Sequence, residues 1–106
     1  MALFQASSGG SSGTLVTTNT AWLSFEVARA GAAGIAAFNF SNSGGSPATM
    51  SGATLVDWRI VTSSTDVIAV STRVNTSGLA GTVVCYDKNA STSNVTFYLY
   101  PIFMLN

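Results

Sequence analysis

Hydrophobic and polar residues alternate along most of this chain. Between Ala21 and Arg29, Leu23, Phe25 and Val27 share one face while Ser24 and Glu26 share the other. From Ile35 to Ser41 the apolar face holds Ala36, Phe38 and Phe40. From Thr54 to Thr62 it holds Val56, Trp58 and Ile60, with Asp57 and Arg59 opposite. From Val67 to Val74, the residues Ile68, Val70 and Val74 alternate with Ala69, Ser71 and Arg73, and Thr82–Asp87 and Val95–Leu105 complete the set. A repeat of two carried by β-branched and aromatic residues predicts strands. The segments between them read ARAGAAG, SNSGGSPATMSG, TSSTD, NTSGLAG and DKNASTSN, which is turn chemistry. EVARAGAAGIAAF is rich enough in Ala to compete as a helix, but Gly31 and Gly34 interrupt it and favour a turn between strands. Short strands at this spacing predict an all-β fold: an antiparallel β-sandwich or barrel of about six to seven strands. It occupies residues 14–106. Residues 1–13, with the linker-like QASSGGSSG, read as a flexible N-terminal arm.

The segment NVTFYLYPIFMLN departs from this pattern. As a strand it places Val95, Phe97, Leu99, Phe103 and Leu105 on one face and Tyr98, Tyr100, Ile102 and Met104 on the other. Strands apolar on both faces are covered on both. The domain's own core covers one face, and a second subunit or a protein lattice is expected over the other. Burying three or four large side chains there contributes roughly 5–10 kcal/mol before association costs. The competing reading has the N-terminal arm fold back over that face. Pro101 removes a ladder donor, which predicts an edge position or a bulge. The strand is then expected to bend at Tyr100–Pro101, with IFMLN projecting beyond the domain. Ahead of the linker, Ala2–Leu3–Phe4 reads either as a frayed terminus or as an arm that lays Leu3 and Phe4 on a neighbouring copy. The expected self-association and lattice contacts are therefore Leu3, Phe4, Tyr98, Tyr100, Ile102, Phe103, Met104 and Leu105.

Composition narrows the function classes. A chain of 106 residues is one domain. Hydrophobic residues make up 47% and charged residues only 8%, against a usual charged share of about 25%; that balance excludes the highly charged, weakly apolar disordered class. Glu26, Asp57, Asp66 and Asp87 balance Arg29, Arg59, Arg73 and Lys88. No surplus of cations exists to displace counterions from nucleic acid or to bind an acidic membrane surface. The apolar run near Pro101 is about eleven residues, short of the roughly 20 that a membrane helix needs. MALFQASSGGSSG has neither a basic segment nor a long apolar core, so no secretory signal is expected there. Near-zero net charge favours association.

Candidate chemistry is sparse. The chain has no His, the commonest general base and zinc ligand. Cys85 is the single cysteine and reads as a small core residue. Asp57 and Arg59 read as a surface ion pair, Glu26 and Arg29 as exposed, and Asp66 and Asp87 as turn residues. No GxSxG elbow or phosphate loop is present. The expectation is a protein that is not an enzyme and uses no cofactor or metal. Trp58 reads as core. Trp22, on the polar side of its strand, is the best candidate for a glycan-stacking platform.

The segments GTLVTTNTAWLSFEV, FNFSNSGGSPAT and NASTSNVTFYLYPI resemble the small β-domains of tailed-bacteriophage accessory proteins, which are rich in Ser, Thr, Gly and Asn and poor in charge. The resemblance lies in texture across most of the chain, and no motif transfers a functional residue. It implies a non-enzymatic structural protein located in the virion, foremost a capsid decoration (cement) protein. Such a protein would associate with itself, as a homotrimer in preference to a dimer, and attach to a viral major capsid or tail protein. The alternative it implies is a tail-fibre tip or lectin-like module that binds receptor glycans.

Overall fold

The computed structural model describes residues 12–42, 44–74 and 79–106 in full, together with the backbone of Phe4–Gln5. Its strands are β1 (Phe4–Gln5), β2 (Leu15–Thr17), β3 (Leu23–Ala28), β4 (Gly34–Ser41), β5 (Met50–Ser51), β6 (Ala53–Thr62), β7 (Val67–Val74), β8 (Ala80–Asp87) and β9 (Asn94–Leu105). The described residues contain no helix. The protein is an all-β sandwich. In one sheet β9 is central: β2 and β3 pair antiparallel along one edge and β6 along the other. The second sheet has the order β4-β8-β7, also antiparallel. A short parallel ladder joins β1 to β5.

The inner faces of the two sheets meet in a core of alternate residues. Val95, Phe97 and Leu99 of β9, Val83 and Cys85 of β8, Val67 and Phe40 are buried together, with Leu23, Phe25, Val27, Ala36 and Phe38 packed against them. Phe97 lies at the middle of an aromatic cluster, its ring centroid 5.2 Å from Phe25 and 5.6 Å from Phe38; Phe25 in turn stacks on Phe40 at 5.0 Å. Offset and tilted rings at such distances add to the burial term. Between β3 and β4 the chain turns at Gly31, whose φ of 78° a side chain would resist. The Ala-rich segment is thus a turn and not a helix.

Three expectations are corrected by the strand register. First, β9 is one strand from Asn94 to Leu105, and Ile102–Met104 pairs on both sides, with β2 and with β6. IFMLN is therefore not a projecting tip. The backbone groups of Leu99 and Leu105 point to the β2–β3 edge, where Leu99 accepts from Trp22 N–H and Leu105 donates to Thr14. By alternation the nitrogen of Pro101 faces the same edge, in the gap between the end of β2 and the start of β3. No partner there needs its missing N–H, so a proline fits a central strand.

Second, β6 carries a bulge between Leu55 and Asp57. The extra residue reverses the alternation, so Trp58 and Ile60 pack on the core while Val56 is exposed. Third, β7 is bulged between Ala69 and Ser71. Val67 and Ala69 point inward before it and Val74 after it, leaving Ile68 and Val70 outside.

Candidate interaction surfaces

The outer face of the β9 sheet carries the side chains expected to make contacts. Tyr98 lies between Ser24 and Val61, Ile102 between Thr17 and Asp57, and Met104 between Leu15 and Thr54. Tyr100 pairs with Arg59, whose guanidinium carbon sits 5.4 Å from the centre of its ring. Arg59 therefore meets an aromatic face and not the Asp57 carboxylate, which accepts from the N–H of Trp58. Tyr98, Tyr100 and Ile102 are half-buried among these neighbours, whereas Met104 and Leu15 stand exposed. Phe103 and Leu105 are only 1% and 5% exposed; they face the protein's own interior and offer no surface to a partner. Leu3 lies outside the described residues, and only the backbone of Phe4 is described, paired with Met50 of the same chain. Gly13, at the other end of the arm, donates to the carbonyl of Leu105.

Trp22 holds the start of β3 against β9 through its N–H. The residue is half-buried and its indole nitrogen is inside the protein. Less of the ring is available for stacking on a sugar than a surface indole would offer.

A second apolar face is not evident from the alternation of the sequence. On the outside of the β4-β8-β7 sheet, Ile35, Tyr86 and Ile68 stand side by side in one cross-strand row. They are 69%, 44% and 48% exposed, and Val70 beside them is 61% exposed. The next row is smaller, Ala37–Val84–Ser71, and the one beyond it is polar, Asn39–Thr82–Arg73. The bulge in β7 creates this surface by turning Ile68 and Val70 outward.

The buried charges form a clasp between the sheets. Arg29, just past β3, donates from Nε to Asp87 Oδ2 at 2.9 Å and from Nη2 to Asp87 Oδ1 at 2.6 Å. Nη2 also reaches the carbonyl of Asn89 at 3.2 Å, and the Asn89 N–H donates to Asp87. Both side chains are 5% exposed, which corrects the expectation of an exposed Arg29 and a turn-borne Asp87. The signal was present in the alternation. Arg29 shares a phase with Leu23, Phe25 and Val27, and Asp87 with Val83 and Cys85. The hydrogen bonds from Arg29 hold the Asp87 carboxyl below its ordinary pKa against the opposing effect of burial, and the same bonds raise the Arg29 pKa. Cys85, buried and free, has its thiol pKa pushed up by desolvation.

Comparison of the chain with protein-family models, curated proteins and solved structures gives no match. The geometry must stand alone. Among the described residues no three His, Cys, Asp or Glu side chains converge as metal ligands. An open groove runs between the edges of β6 and β7, lined by Asp57, Trp58, Ile60, Ala69 and Val70. It contains one carboxylate and no partner base. The two apolar sheet faces are the features that offer something to bind.

Proposed function

We propose that this protein is a non-enzymatic structural component of a virus particle, of the capsid-decoration type, which attaches to a protein lattice and to itself. The observation that carries this reading is the outer face of the β9 sheet. Tyr98, Tyr100, Ile102, Met104 and Leu15 form an apolar and aromatic strip at the middle of a sheet, on a chain of zero net charge. Aromatic and Met side chains with a single Arg are the composition that protein interfaces favour at their centres. The buried ionisable groups support a structural role, since Arg29 and Asp87 are engaged with each other. The glycan-binding fibre tip is the weaker reading, because Trp22 is half-buried.

The test is co-sedimentation with shells assembled from the major capsid protein of a tailed bacteriophage. The wild type should pellet with the shells, and Tyr100→Asp or Met104→Asp should remain in the supernatant while keeping a wild-type circular dichroism spectrum. Equal recovery of all three proteins with the shells, or of none, would overturn the assignment of this face.

A further inference from the structure

We infer that the outer face of the β4-β8-β7 sheet is the protein's self-association surface, and that its occupant is the same face of a second copy, stacked with strands antiparallel about a twofold axis. This inference takes up the self-association half of the function proposed above and names the face.

Two opposite charges flank this face at the ends of β7. Asp66 lies half-buried in the turn just before β7, one residue ahead of the inward Val67, and Arg73 is exposed near the other end of the strand. Among the described residues neither has an ion-pair partner, the one salt bridge being that of Arg29 with Asp87. They are separated by about 20 Å along the strand. A twofold axis lying between the stacked sheets, perpendicular to the strands and passing near Val70, reverses β7 over itself. Arg73 of each copy then lies above Asp66 of the other. Two complementary charge contacts arise from one symmetry operation, as an isologous interface requires.

The same operation settles the apolar rows. The bulky row Ile35–Tyr86–Ile68 of one copy comes over the small row Ala37–Val84–Ser71 of the other, and the reverse holds on the far side of the axis. Large side chains meet small ones, so the faces can interdigitate at the spacing of a packed sheet pair, about 10 Å. Tyr86 stands on the central strand with an Ile on each side, the position and residue type in which binding energy concentrates. Lys88 and Arg73 lie towards the ends of the face and not at its centre. Three strands of eight residues give a footprint of about 14 Å by 26 Å on each copy, smaller than stable interfaces bury, so the association is a weak one. A dimer with a dissociation constant in the micromolar range is expected, and not the trimer that the phage resemblance implies.

The experiment is sedimentation equilibrium of the full chain across low to high micromolar concentration. The wild type should move from the 10.9 kDa chain towards twice that mass. Tyr86→Asp should raise the dissociation constant by about thirtyfold or more, because both halves of the interface carry the change. Arg73→Asp should weaken the dimer, and Arg73→Asp with Asp66→Arg should restore it, a rescue that a general loss of stability would not show. Circular dichroism of each variant checks that it folds. A wild type that stays monomeric throughout would overturn both this inference and self-association itself. A wild-type oligomer dissociated by Tyr100→Asp but not by Tyr86→Asp would leave self-association standing and overturn this face. Tyr86→Asp dissociation without charge-swap rescue would overturn the antiparallel arrangement.

Discussion

Arg29 and Asp87 stand 58 residues apart and are joined by two hydrogen bonds between a planar guanidinium and a carboxylate. The pair links the end of β3 in one sheet to the end of β8 in the other. Bidentate geometry of this kind fixes orientation as well as charge. Because the Asp87 pKa is lowered in the folded protein, its contribution is present above the unfolded carboxylate pKa of about 3.9 and is lost as pH falls through the lower folded value. Thermal denaturation followed between neutral pH and pH 2 should show a fall in the wild-type midpoint below about pH 4. Asp87→Asn should have a lower midpoint at neutral pH and a flatter acid limb. An identical acid limb in the variant would assign the transition to another carboxylate.

Phe97 is fully buried and touches the rings of both Phe25 and Phe38. Removing its ring leaves a cavity where the two sheets meet. Phe97→Ala should destabilise the protein by about 3–5 kcal/mol in urea unfolding. A loss below about 1 kcal/mol would mean that the sheets close over the gap.

Gly81 lies opposite Val74 in the β7–β8 ladder, with the Arg73 carbonyl and the Val74 Cα at the place a side chain would occupy; the latter would be 2.9 Å from a Cβ. Those are backbone atoms and cannot rotate away. Gly81→Ala should therefore cost about 1–3 kcal/mol through overpacking, measured by the same unfolding experiment. Gly44→Ala, where a Cβ meets nothing within 4 Å, is the control expected to change little.

Cys85 has no exposed surface and its thiol resists ionisation. The thiolate is the reactive form. Ellman's reagent at pH 8 should leave the native protein unmodified and titrate the single thiol once urea is added. Rapid reaction of the native protein would show that β8 opens locally.

The strands were legible because burial of one face imposes a repeat of two, and Val67–Val74 was bounded as the structure bounds it. What the pattern could not supply was where that repeat changes phase. The bulges at Val56 and Val70 each insert one residue opposite a regular partner strand, and that irregularity belongs to the pair and not to either sequence. Ile68 and Val70 consequently looked like core and are surface, which hid the face now assigned to self-association. Pro101 misled in the opposite direction. A proline argues against a central strand unless its nitrogen faces a gap, and the gap exists because β2 and β3 divide one edge of β9 between them. The Arg29–Asp87 clasp is marked in the sequence by phase alone, against the general preference of charged residues for the surface.

The order of strands along the chain has a consequence for biosynthesis. β2, β3 and β6 emerge from the ribosome before β9, and all three find their partner in that one later strand. β4 and β7 likewise wait for β8. A nascent chain must therefore carry several apolar strands without hydrogen-bonding partners, and long-range pairing of this kind is slow. Productive folding waits on β9, and a cell making the protein quickly would need chaperones to shield those strands until it arrives.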